Sequence, residues 1–205
     1  MHMDKYFITI SRQYGSGGCD IALRMSELLN IPCYDREIVE EAAVKLNLSV
    51  SDIDKNEESA KKLKVFHPHS FSASIPISSR TTKEQDKIFD AQAEAIRGLA
   101  EKGSAIFVGR SADLVLEDEH NLVNIFIYAP YDVRVAHIMK RNGIKANAAR
   151  NQVDRIDEAR NEYRAQYSGY RYDDKRFWDI MIDSNFLGIE KTAEFLAEAI
   201  RKRFE

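Results

Sequence analysis

No apolar run in this sequence approaches the ~20 residues that a membrane-spanning helix needs. Cysteine is scarce. Only Cys19 and Cys33 occur, too few for a disulfide framework and without zinc-ligand spacing, which suits a reducing, cytoplasmic setting. The opening Met1-His2-Met3-Asp4 does not read as a secretory signal. Internal repeats and low-complexity tracts are missing. An excess of positive charge is missing too: the net charge is −3, which argues against a general binder of nucleic-acid polymers or membrane surfaces. Oligomeric state has no signature in the sequence.

What is present is a well-mixed chain of 205 residues, 44% hydrophobic and 31% charged, enough for one domain with a sizeable core. Tyr6 to Ile10 reads as a short buried strand that breaks into Ser11-Arg12-Gln13-Tyr14-Gly15-Ser16-Gly17-Gly18. A helical apolar period then begins at Ile21, Met25, Leu28 and Leu29. Strand, glycine turn and helix start together favour an anion, because glycines let backbone N–H groups converge and the helix start adds partial positive charge. The candidate phosphate-binding residues are Ser11, Arg12, Gly15, Ser16, Gly17, Gly18, Cys19 and Asp20. A tight turn with no ligand is the alternative. The usual phosphate loop reads GxxxxGK[ST]. Here Gly18 takes the lysine position, and the magnesium-binding hydroxyl is assigned to Asp20, with Ser16 as a second candidate.

Further strands are expected at 31–34, 105–108, 122–128 and 178–182. Helices are expected after Asp35, from Thr82 to Gly103, from Asp132 to Gly143 and at the C-terminus. Residues 65–80, rich in Ser and Pro, read as a loop or flap, and His67 and His69 as solvated rather than metal-bound. Residues 144–167 are helix-prone, dense in arginine and without an apolar stripe, so they are expected to stand off the core as an arm. The alternation predicts an α/β fold, a five-stranded parallel sheet flanked by helices, with ligands beyond the carboxyl ends of its strands.

Arginine forks onto phosphate oxygens and keeps its charge, which suits phosphoryl transfer. Arg12, Arg36 and Arg110 stand at strand ends, and Arg150, Arg155, Arg160 and Arg164 line the arm. Asp157 shares a helix face with Arg160, as a plain salt bridge or as a support for a substrate-binding arginine.

The ordered segments ITISRQYGSGG (8–18), IPCYDREIV (31–39), IFVGRSAD (106–113), IFIYAP (125–130), DEARNEYR (157–164) and IMIDSNFLGIE (180–190) resemble the cytidylate kinase-like family, of the P-loop nucleoside monophosphate kinase group. The resemblance implies ATP and Mg2+ as donor and cofactor, nucleotides as substrates, and Arg12, Arg155 and Arg160 as candidate catalytic cations. It implies Asp35, Arg36, Arg110, Asp157 and Arg160 on the acceptor side. It also implies one domain over 1–205, with a monophosphate-side insert at about 47–82 and a lid at about 142–172. Arg12 is the expected replacement for the missing lysine. The implied activity is ATP-dependent phosphorylation of CMP or dCMP. The alternatives are a nucleotide-binding regulator without turnover and a kinase for another small acceptor.

Overall fold

The computed structural model describes residues 5–53, 79–172 and 174–204, with side chains described from residue 83 onward in the helix that begins at Ser79. Of the flap expected at 65–80, residues 65–78, with His67 and His69, lie outside the described residues.

Five strands form one sheet: β1 (Phe7–Arg12), β2 (Cys33–Tyr34), β3 (Ala105–Val108), β4 (Leu122–Tyr128) and β5 (Ile180–Asp183). Their order is β2-β3-β1-β4-β5 and every pairing is parallel. β1 is central, with Phe7 opposite Ala105 on one side and Leu122 on the other. Its residues alternate between two buried faces. Ile8 and Ile10 pack with Ile106, Val108, Ile125 and Ile127 under α1 (Gly18–Leu29) and α8 (Ile189–Phe204). Phe7 packs with Phe107 and Ala105 on the opposite face, under Ile96 and Leu99 of α3 (Ser79–Glu101) and Ala112 of α4 (Ala112–Val115). The result is a three-layer sandwich, as the alternation of elements predicts. α2 (Arg36–Leu46) joins α3 through Val39, Ala42 and Ile88. No described helix is long and apolar enough to cross a membrane.

The arm departs from expectation. α5 (Tyr131–Asn142) is followed by α6 (Ala146–Ser168), which buries Ala149, Val153, Ile156, Ala159, Tyr163 and Arg164. Its stripe is thin, with Val153 and Ile156 among alanines, a tyrosine and a paired arginine, so hydropathy registers it weakly. Tyr163 donates to Gln92 Oε1 at 3.0 Å, and Tyr167 stacks on Phe89 with ring centroids 4.0 Å apart. Arg164, 1% exposed, bonds Asp113 at 2.5 Å, and its guanidinium lies within 4.7 Å of the Trp178 ring centroid. α6 is therefore docked on the sandwich along much of its length.

Candidate active site

The loop from Gln13 to Gly17 links β1 to α1 at the carboxyl edge of the sheet. Three neighbouring elements fix its shape. Gln13 N–H donates to Ile127 O at 3.0 Å, and Gln13 Oε1 accepts from Ala129 N–H at 3.2 Å, tying the loop to the end of β4. Ser184, at the start of α7 (Ser184–Leu187), donates from Oγ to Ser16 O at 2.6 Å. His137 of α5 sits 2.9 Å from Gly15 O. A carbonyl only accepts, so His137 Nδ1 carries the proton. Gly15 and Gly17 have φ of +81° and +77°, left-handed values that glycine adopts without strain. A Cβ on Gly15 would also lie 2.8 Å from Arg134 O of α5, so the glycine admits the close approach of that helix.

Arg12, leaving the end of β1, crosses this loop. A Cβ on Gly18 would sit 2.6 Å from Arg12 Cβ, and one on Gly109 would clash with Arg12 Nη1. Arg12 therefore fills the space that a side chain at either position would need. That is the physical reason the lysine position of the loop is a glycine. Burial by itself would lower the Arg12 pKa, but Cys19 and Asp35 beside it outweigh that and hold it above the ordinary arginine value. Arg12 Nε is buried with no hydrogen-bond acceptor.

Arg160 reaches in from α6. Its Nη1 donates to Arg12 O at 3.2 Å, and its guanidinium lies 5.6 Å from the Tyr14 ring centroid. Burial, and then the neighbouring positive charge of Arg12, bring its pKa down to about 10, so it stays charged at neutral pH. Arg12, Gln13, Asp157, Arg160 and Asn161, with the rings of Phe126 and Tyr172, line a cavity of about 240 Å³. Two arginines lining one cavity at the end of a glycine loop form a place for an anion.

The other expected residues divide. Cys19 Sγ lies 3.8 Å from Asp35 Oδ2, which brings both into the Arg12 neighbourhood. Ser11 is buried in β1. Arg110 follows Gly109 in a left-handed turn in which Gly109, Arg110 and Ser111 have φ of +73°, +55° and +50°. Two adjacent non-glycine residues in that region store strain, a common mark of functional loops. Arg36 is 77% exposed and bonds Glu40 on its own helix at 2.7 Å. Arg155 and Asp20 are exposed. Asp157 does not pair with Arg160. Its Oδ1 accepts from Tyr14 N–H at 2.7 Å, and its Oδ2 pairs with Arg134 at 2.5 Å.

The count along the loop needs one correction. The residue directly after Gly18 is Cys19, so a thiol, not the Asp20 carboxylate, occupies the hydroxyl position. Ser16 Oγ donates to Gln13 O at 2.9 Å and keeps lone pairs of its own. Among the described residues no cluster of three metal-ligating side chains forms. Sequence reasoning placed Asp183-Ser184 at a strand end facing the cleft and missed Arg134 and His137. Arg134 and His137 lie just beyond Pro130, at the carboxyl end of β4, and the strand-end rule that selected Arg110 applies to them equally.

A parallel sheet in this order, with a glycine loop leading into a helix below converging arginines, defines a P-loop kinase fold. Residues 7–185 match the model of the cytidylate kinase-like family, and the chain belongs to that family. A curated relative, cytidylate kinase from Thermoplasma acidophilum, is 24% identical over 94% of this chain and 91% of its own. A solved structure of an uncharacterized protein from Eubacterium ventriosum superposes with a TM-score of 0.72 at 25% identity, covering 97% of this chain and 99% of that one. Shikimate kinase from Bacteroides thetaiotaomicron shares the fold at a TM-score of 0.56 and 13% identity, over 96% of this chain and 98% of its own.

Restoring the usual loop lysine is expected to harm this protein. Gly18→Lys forces its Cβ onto Arg12, with an overpacking cost of about 1–3 kcal/mol. Thermal denaturation should show a lowered Tm, and nucleotide titration no gain in affinity. A stable variant with tighter binding would contradict the crossing of Arg12 over the loop.

Proposed function

We propose that this protein transfers a phosphoryl group from ATP to a small acceptor, with a nucleoside monophosphate, CMP or dCMP, as the first choice. One observation carries the proposal: Arg12 and Arg160, 148 residues apart in the sequence, line one cavity beside the glycine loop, where the charge of Arg12 depresses the pKa of Arg160. Bringing like charges together is costly without an anion between them, and a polyphosphate supplies one. Phosphoryl transfer asks the protein mainly to place donor and acceptor in line and to neutralise the transferring oxygens. The loop amides and Arg12 would hold the donor phosphates. Arg160 and Arg110 would face the group in transfer and the acceptor phosphate. A magnesium ion, when bound, would neutralise charge on the donor oxygens, and Ser16 Oγ is the loop side-chain oxygen that would hold it. Residues 142–172 would act as the lid that excludes water, and residues 47–82 as the monophosphate-side insert.

Gly18 and Cys19, in place of lysine and hydroxyl, favour a second reading: a nucleotide-binding regulator that closes on its ligand without turnover. ADP release with ATP, Mg2+ and a panel of nucleoside monophosphates and other small acceptors separates the two. ADP formed faster with CMP or dCMP than with any other acceptor is the expected result. Faster turnover with a different acceptor would move the substrate assignment. ATP binding with no ADP formed on any acceptor would replace the kinase reading with the regulator.

A further inference from the structure

Tyr14 is held at both ends of its backbone by one ion pair. Its N–H donates to Asp157 Oδ1 at 2.7 Å, and its C=O accepts from Arg134 Nη1 at 3.0 Å. Arg134 and Asp157 are themselves joined at 2.5 Å, which closes a ring through the residue. Arg134 Nε is anchored on Ala129 O at 3.1 Å. The arginine is 6% exposed and the Asp157 side chain 20%, so water screens the pair weakly. The two side chains come from different helices, Arg134 from α5 and Asp157 from α6.

Peptide planarity gives this ring its consequence. In a trans peptide the N–H lies opposite the preceding C=O. Holding the Tyr14 carbonyl toward Arg134 therefore aims the Gly15 N–H away from α5. Gly15 is the residue most free to let that peptide flip, with its φ of +81°. We infer that Arg134 and Asp157 are a positioning pair that presets the phosphate loop, and that the loop takes this shape only while α6 is docked. Both Asp157 oxygens are engaged in the ring, so Asp157 acts through Tyr14 rather than on the acceptor. Arg160, one turn along the same face of α6, reaches Arg12 O, so a single docking event sets the loop and delivers the second cation.

The inference rests on the phosphotransfer reading for its functional meaning, and hydrogen exchange separates the two. Asp157→Ala and Arg134→Met are compared with the intact protein, with Asp157→Asn and Arg134→Lys as conservative partners. Asn keeps an acceptor for Tyr14 N–H. Lys keeps a charge for Asp157 but lacks the fork that spans Tyr14 O and Ala129 O. At a temperature well below every Tm, the Tyr14 amide should be protected in the intact protein and exchange about 10–100 times faster in Asp157→Ala. The affinity for a fluorescent ATP analogue should fall about 10–100-fold in Asp157→Ala and Arg134→Met, and recover in part in Asp157→Asn. Should the alanine and methionine variants fail to fold, Asp157→Asn and Arg134→Lys carry the same comparison at intermediate size. Unchanged exchange at Tyr14 overturns the clamp, whatever the nucleotide result. Faster exchange with no ATP bound by the intact protein keeps the clamp and rejects the phosphotransfer reading. Faster exchange with unchanged affinity overturns the claim that the clamp presets the loop.

Discussion

Arg12→Ala should weaken ATP binding by about 10–150-fold, the equivalent of losing one charge-assisted contact of about 1.5–3 kcal/mol. Turnover should fall further, by about 10²–10³-fold, because a preorganised charge counts most where negative charge develops. Arg160 does not offset this loss, because it is already charged at neutral pH while Arg12 is present. Arg12→Lys should recover part of the loss, since a point charge returns without the fork. Titration with a fluorescent ATP analogue, beside a steady-state assay, checks both numbers. Wild-type affinity in Arg12→Ala would remove the loop arginine from the phosphate site.

Asp113→Ala should be the most destabilising of the substitutions considered. It leaves Arg164, 1% exposed, without the carboxylate it bonds at 2.5 Å. Breaking a buried pair from one side costs about 3–5 kcal/mol. For a chain of this size that lowers Tm by about 6–20 °C. Replacing both partners with apolar residues of similar volume, Asp113→Leu with Arg164→Met, should return most of it, because the penalty lies in the uncompensated charge. Thermal unfolding of the single and double variants decides the matter. A single variant within 1–2 °C of the intact protein would mean that water reaches the guanidinium.

Local features were the legible part. β3 and β4 fall on the expected residues because each is apolar on both faces. The strand-glycine-helix unit at β1 was readable because each of its parts has a local signature. The burial of α6 was not, since Ala149, Ala159, Tyr163 and Arg164 look like parts of a solvated face until Asp113, Gln92 and Trp178 meet them from far along the chain. The partners of Asp157 were hidden for the same reason. An i,i+3 neighbour is visible in a sequence, whereas Tyr14 and Arg134 become neighbours only through the fold. Arg36 is a different case. Its place after β2 marked it for the site, and in the fold its exposed side chain bonds Glu40 on its own helix.

β1 is synthesised first, yet both of its hydrogen-bonding partners, β3 and β4, emerge about 100 residues later. At about 5–20 residues per second, the segment that carries the glycine loop spends about 5–20 s outside the ribosome before either neighbour exists. The loop takes shape only once distant strands close around it, and any truncation before Leu122 leaves β1 with an open edge on its β4 side for chaperones to shield.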